Sequence, residues 1–152
     1  MERVWFITGA SRGFGRAFTE EAVKRGDKVI ATVRRVPHDD IFKHPSVLTV
    51  VMDVTKTDEV EKAIKDGMDC FGRIDVLINN AGFGAYGATW DVPLETELNM
   101  LDLNVRAVQI LTKLFLADFR KRGSGRILNV ASSAGFLAGP LMSGYYATKG
   151  YV

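Results

Sequence analysis

The sequence predicts an α/β fold: a doubly wound parallel sheet with helices on both faces, three layers in αβα order, built as one domain over residues 1–152. Three observations predict it. Short, wholly apolar runs such as Val4-Trp5-Phe6-Ile7 read as strands buried on both faces, as in a parallel sheet. These runs alternate with helical stretches, the pattern of right-handed βαβ units. Polar, glycine-rich segments fall directly after strands, at 8–15, 79–82 and 131–135. Such sheets bind ligands there, at the carboxyl ends of their strands.

The first strand, 4–7, runs into Thr8-Gly9. Gly13-Phe14-Gly15 opens a helix to Arg25, and Gly26 stops it. A second strand covers 28–33. The polar connection 37–45 has room for one helical turn and carries His38, His44 and Asp39-Asp40, all read as solvated. The third strand covers 47–54. A helix over 57–71 places Val60, Ile64, Met68 and Phe71 on one apolar stripe, and Gly72 closes it. The fourth strand, 74–78, ends in Asn79-Asn80-Ala81-Gly82, followed by a glycine-rich loop through Gly87. Residues 83–90 are suited to line a substrate pocket. A long helix over 94–121 is apolar on two faces, one with Leu101, Val105, Val108 and Thr112, the other with Leu103, Ala107, Ile110 and Leu114. One face covers the sheet and the other calls for a partner. After the turn 123–125 come a fifth strand, 126–130, and a final helix starting near Gly144. Trp5 reads as core, Trp90 as a packing residue of its loop, and the pairs Phe14/Phe18 and Phe115/Phe119 as core or interface.

Composition narrows the function. The 47% hydrophobic content supports a substantial core, and a net charge of +2 with scattered lysines and arginines argues against a nucleic-acid partner. The one tight basic run, Arg120-Lys121-Arg122, suits the last turn of a helix. The single cysteine, Cys70, excludes an internal disulfide framework and suits a reducing compartment. With no histidine or second cysteine at ligand spacing it reads as a small buried hydrophobe, and no metal site is expected. No leader pattern opens the chain and no apolar run approaches ~18 residues, so a cytoplasmic location without a membrane partner is expected.

The segment Gly9-x-x-x-Gly13-x-Gly15 lies between a strand and a helix. Glycines there permit a tight turn and close approach to a pyrophosphate, which sits at the positive end of the helix. The spacing departs from G-x-G-x-x-G, and there is no Gly-Lys-Ser/Thr of a nucleoside triphosphatase loop. The reading is a Rossmann-like dinucleotide site. An acid at the end of the second strand would select a ribose 2′-hydroxyl, but Ala31-Thr32-Val33-Arg34-Arg35 has none. Arg12 and Arg34 instead suit a 2′-phosphate, which predicts NADP(H) over NAD(H).

Near the end, Tyr145 and Lys149 stand four residues apart, one turn of the same helix face, with Tyr146 equally within reach of the lysine. A phenol is a weak acid, and a nearby ammonium favours its ionised form. Spacing alone leaves the two tyrosines, and likewise Ser132 and Ser133, undecided. Asn104 is a polar residue within an apolar helix and must find hydrogen-bond partners if buried.

Taken together, these motifs resemble the short-chain dehydrogenases/reductases, in the short branch distinct from the sugar-nucleotide epimerases. Thr8-Gly9-Ala10-Ser11-Arg12-Gly13-Phe14-Gly15 is similar to that family's cofactor loop, Asp53-Val54 to its adenine-contacting pair, Asn79-Asn80-Ala81-Gly82 to its fourth-strand motif, and Tyr145-x-x-x-Lys149 to its active-site pair. The resemblance implies a catalytic tetrad of Asn104, Ser132, Tyr145 and Lys149. It implies cofactor contacts from Gly9, Ser11, Arg12, Gly13, Phe14, Gly15, Arg34, Asp53, Val54, Asn80, Ala81 and Gly82, with Tyr145 and Lys149 joining them. It selects Tyr145 over Tyr146 and Ser132 over Ser133, and gives Asn104 a water that links the lysine to solvent. The implied reaction is hydride transfer between a nicotinamide and a small-molecule carbonyl or secondary alcohol. The implied assembly is a homo-oligomer, a dimer or tetramer, joined through the helix from Leu94 and the helix of Tyr145. The family's chains continue beyond residue 152 with further strands, so this chain is expected to be the N-terminal part of a longer fold. The alternative is a non-catalytic dinucleotide-binding module or sensor.

Overall fold

The computed structural model describes residues 2–152. Five parallel strands form one sheet in the order β3-β2-β1-β4-β5: β1 Val4–Ile7, β2 Lys28–Val33, β3 Val47–Val51, β4 Val76–Asn79 and β5 Arg126–Asn129. The order reverses between β1 and β4, and this switch point opens a crevice at the carboxyl ends of the strands. Helices α1 Gly13–Lys24, α2 Thr57–Phe71, α3 Leu94–Leu101 and α4 Ala107–Arg122 flank the sheet, and α5 Ser143–Tyr151 follows β5. One core cluster joins Phe6, Ile30 and Leu77 of the sheet to Val60 of α2 and Leu111, Phe115 and Phe119 of α4. The opposite cluster joins Ile7, Val29, Ala31 and Ile78 to Ala22 of α1. The doubly wound, three-layer arrangement is the one predicted. Among the described residues no helix is long and apolar enough to cross a membrane.

Two buried aspartates fix where β1 begins. Asp27 accepts hydrogen bonds from Arg3 N at 2.8 Å and Trp5 Nε1 at 2.9 Å, and Asp75 accepts from Val4 N at 3.0 Å. Each stands at the entrance of a strand neighbouring β1, so the central strand is gripped from both sides before its ladders start.

Several local expectations are corrected. β3 ends at Val51 rather than 54, because its partner β2 ends opposite it at Val33. β4 starts at Val76 rather than 74, since Asp75 is engaged with the start of β1. The helix predicted over 94–121 is continuous in direction but carries a π-helical segment, Asp102–Arg106, between α3 and α4. On α2 the buried face is Val60, Ala63 and Gly67, while Met68 is turned outward. Gly67 lets the helix lie close on β2: a Cβ would lie 2.4 Å from Ile30 Cδ1, so a side chain there would have to displace the end of Ile30. Cys70 is exposed, not buried, because it falls on the outer side of α2. Trp90 is 87% exposed rather than packed into its loop. Phe14 is also exposed, whereas Phe115 and Phe119 are core.

Candidate active site

The floor of the site is made by the loops after β1 and β4. Thr8 Oγ1 accepts the backbone N–H groups of Asn80 at 2.9 Å and Ala81 at 3.0 Å. In return Asn80 Nδ2 donates to the carbonyls of Thr8 at 2.9 Å and Gly9 at 3.2 Å. The two loops are thereby zipped together. Their closeness dictates the glycines. Gly9 has a φ of +65° and faces the Ala81 backbone, and a Cβ on Gly15 would lie 2.3 Å from Gly9 O. Helix α1 starts at Gly13 with the extended Arg12 as its N-cap, no side chain capping it and no acid in its first turn. Its leading N–H groups therefore have neither a side-chain cap nor an acid in the first turn, the condition in which a helix end can receive an anion.

A cleft of about 730 Å³ opens over this floor, within the range of sites for organic ligands and cofactors. Gly9, Ser11, Arg12, Gly13, Arg34, Asp53, Val54, Asn80, Ala81 and Gly82 line it, all expected from the sequence. Thr32, Val33, Met52, Thr55, Phe83, Asn99 and Leu103 join them. Phe14 and Gly15 do not line the cleft. The Phe14 side chain lies in solvent beside Phe18, with ring centroids 6.4 Å apart, and Gly15 is buried beneath the loop. Among the described residues neither Arg12 nor Arg34 forms an ion pair, so two guanidinium groups border the cleft without carboxylate partners. Asp53 is held ionised. Burial pushes its carboxyl up, but hydrogen bonds from Thr55 N at 2.9 Å and Thr55 Oγ1 at 2.8 Å, with the charges of Lys56 and Arg34, outweigh this and leave it below the ordinary aspartate range.

Helix α5 stands behind the loop after β4, and none of Asn104, Ser132, Tyr145 and Lys149 lines the cleft, although Tyr145 and Lys149 are expected among the cofactor contacts. Lys149 is buried, which lowers its pKa, and its Nζ donates to Val130 O at 3.0 Å. The same Nζ stands 6.0 Å from the centroid of the Tyr145 ring. The two tyrosines that spacing left undecided point to different places. The Tyr145 ring lies against the backbone of Gly84 in the loop after β4, and the Tyr146 hydroxyl lies against Gly139. Ser132 is half-buried, and its Oγ accepts from Ala134 N at 3.1 Å, capping a short 3-10 turn, Ser133–Gly135. That turn seats on α5 beneath Lys149, where a Cβ on Gly135 would lie 2.7 Å from Lys149 O. Ser133 is exposed.

Asn104 is 1% exposed and sits in the π-helical segment. Its Oδ1 accepts from Phe83 N at 3.1 Å, and its Nδ2 donates to Phe83 O at 2.8 Å and to Thr148 Oγ1 at 3.0 Å. Thr148 Oγ1 in turn donates to Tyr145 O at 2.8 Å. Both amide protons and the amide oxygen are thus taken by protein groups. The side chain ties the loop after β4 and α5 to the long helix. Thr148 is the member of this network that the sequence did not single out. Its only signal is its place beside Lys149.

The sequence profile described as short chain dehydrogenase matches residues 3–152. Oxidoreductase BOA17 of Botryotinia fuckeliana is 38% identical over 154 residues, covering 98% of this chain and 56% of the relative. A short-chain dehydrogenase from Streptomyces avermitilis superposes with a TM-score of 0.93 at 37% identity, covering 99% of this chain and 57% of that one. A 3-ketoacyl-(acyl-carrier-protein) reductase from Brucella melitensis, solved with NADH, superposes with a TM-score of 0.87 at 30% identity, covering 98% and 65%. The chain thus spans roughly half to two-thirds of the length of the proteins it resembles.

Proposed function

The chain belongs to the short-chain dehydrogenase family, and from that premise we propose that it serves an oxidoreductase that interconverts a small carbonyl compound and its secondary alcohol, with NADP(H) preferred over NAD(H). The residues lining the cleft would hold a nicotinamide dinucleotide, which when bound would give hydride to the carbonyl in reduction and take it from the alcohol in oxidation. Tyr145 carries the proton, as general acid in reduction and general base in oxidation. Lys149 provides a positive charge beside the phenol, which favours its ionised form. Ser132 donates to the substrate oxygen. Asn104 holds the wall on which these groups stand. The carrying observation is a juxtaposition: one loop, 80–84, forms the floor of the cleft and at the same time packs against Lys149 and Tyr145. A ligand laid along the cleft from Arg12 and Arg34 to Gly82 would reach the part of the loop behind which Lys149 and Tyr145 stand. The preference for NADP(H) rests on the two unpaired guanidinium groups at the cleft border. A small-molecule partner, a cytoplasmic setting and self-association through α3, α4 and α5 complete the proposal.

The test is turnover by the full-length protein of a panel of ketones and 3-oxo esters with NADPH and with NADH. NADPH is expected to give a kcat/KM at least about tenfold higher, the worth of one charge-assisted hydrogen bond. Tyr145→Phe is expected to abolish turnover while leaving NADPH binding, followed by fluorescence, unchanged, and Tyr146→Phe to leave both intact. An active Tyr145→Phe would remove the proposed proton carrier.

A further inference from the structure

We propose that Gly84 is a positioning residue for the Tyr145 phenol, a specific deepening of the reading above. The glycines of the loop after β4 alternate with Phe83, and their bare backbones face the side chains on which that reading rests. A Cβ on Gly82 would lie 3.0 Å from Asn104 Oδ1 and 3.6 Å from Lys149 Nζ. A Cβ on Gly84 would lie 3.0 Å from Tyr145 Cδ2, 3.1 Å from Cγ and 3.3 Å from Cε2. The ring therefore rests directly on the chain at position 84. Between the two glycines, Phe83 has both its N–H and its carbonyl clamped by Asn104, which also holds Thr148 one turn away on α5. At Phe83 the loop cannot retreat without breaking that clamp. A side chain at 84 must then be accommodated by the ring, which moves by a few tenths of an ångström at its Cγ end and by more at its hydroxyl.

Conformation does not explain this glycine. Gly84 is absent from the left-handed residues of the chain, its surface is exposed, and no hydrogen bond depends on its having no side chain. Space for the tyrosine ring is the feature that a substitution removes. Displacements of ~1 Å at a reacting group are known to lower rates by about a hundredfold, so a smaller shift falls on a readily measured scale.

The test compares Gly84→Ala, Gly84→Val and Tyr145→Phe with the wild type in the full-length protein, using NADPH and the best ketone or 3-oxo ester of the panel. Gly84→Ala is expected to lower kcat about tenfold and Gly84→Val further, with NADPH affinity within about twofold. The melting temperature should stay within about 5 °C. In spectra of protein with ring-labelled tyrosine, the resonance that Tyr145→Phe deletes should move in Gly84→Ala while those of Tyr86 and Tyr151 stay in place. An unchanged kcat and an unmoved Tyr145 resonance would overturn the proposal. So would a loss of kcat matched by an equal loss of NADPH affinity or a collapsed melting temperature, which would make Gly84 an ordinary structural glycine. If Tyr145→Phe is inactive and Gly84→Ala is as fast as the wild type, positioning alone fails and the proposed function stands; if Tyr145→Phe turns over normally, both fall.

Discussion

At the scale of single residues, the site depends on where a few polar groups find their partners. Arg34 stands exposed at the cleft border, just past the end of β2, where it makes no close ion pair although its charge is felt by Asp53. A charge-assisted hydrogen bond is worth about 1.5–3 kcal/mol. Arg34→Ala is therefore expected to lower kcat/KM for NADPH by about ten- to a hundredfold. NADH, which has no 2′-phosphate, should be affected by less than about threefold. Steady-state kinetics with the two cofactors check this, and equal losses for both would make Arg34 a general contributor to binding. Asn104 carries a different kind of consequence. Removing its amide leaves the part-buried N–H and carbonyl of Phe83 and one bond of the buried Thr148 without their partner. Each unsatisfied buried group costs about 1–3 kcal/mol, less where water enters. Asn104→Ala should lose about 2–4 kcal/mol in urea unfolding, and a wild-type midpoint would show that the loop is held by something else.

At the scale of elements, the central strand is anchored in part by the ionised Asp75, and this gives the fold a definite response to acid. Burial pushes the Asp75 carboxyl up, but the hydrogen bond from Arg73, that from Val4 N, the Arg73 charge and Arg122 together outweigh it, so it titrates below its ordinary value of 3.8. A carboxyl depressed by folding stabilises the native state at every pH above its unfolded value. That contribution is lost as the pH falls through the lower, folded value. The stability of the wild type should therefore drop as the pH goes below about 4. Asp75→Asn should be less stable at pH 7 by about 1–3 kcal/mol and should show a flatter acid limb; parallel pH profiles of the two proteins would count against the anchor. The same elements show what a sequence makes legible. Gly26, Gly72 and Gly123 mark helix ends through left-handed turns that local chemistry dictates, and the alternation of apolar runs with helices was enough for the sheet. Strand ends were not legible, because β3 stops where its neighbour stops. Nor was the π-helical segment, which brings Asn104 to partners 21 and 44 residues away. Cys70 and Trp90 were misread because composition does not say which way a side chain faces.

At the scale of the whole molecule, the motifs after β1, β4 and β5 converge because a parallel sheet gathers the carboxyl ends of its strands on one side. That much followed from order along the chain; spacing alone left the two tyrosines open, the resemblance selected Tyr145, and in the fold the Tyr145 ring lies 6.0 Å from Lys149 Nζ while Tyr146 lies against Gly139. What the sheet leaves outside is equally informative. The buried stripe of the long helix is Met100, Asn104, Ala107, Leu111, Phe115 and Phe119, while Leu94, Leu98 and Leu101 form a second, exposed stripe at positions i, i+4 and i+7. Single exposed leucines are ordinary, but three aligned on one helix face make a surface suited to a partner. A second copy of the chain is the default partner, since a self-complementary patch closes with two-fold symmetry. Burying one leucine contributes about 1.5–3 kcal/mol, and a two-fold interface buries each stripe residue twice. Leu98→Glu is accordingly expected to weaken self-association by at least about a hundredfold. In sedimentation velocity the wild-type full-length protein should run as a dimer or larger and the variant as a monomer, with NADPH binding retained, because the stripe lies outside the residues that line the cleft. A wild type that sediments as a monomer would assign the exposed leucines to contacts within the rest of its own chain.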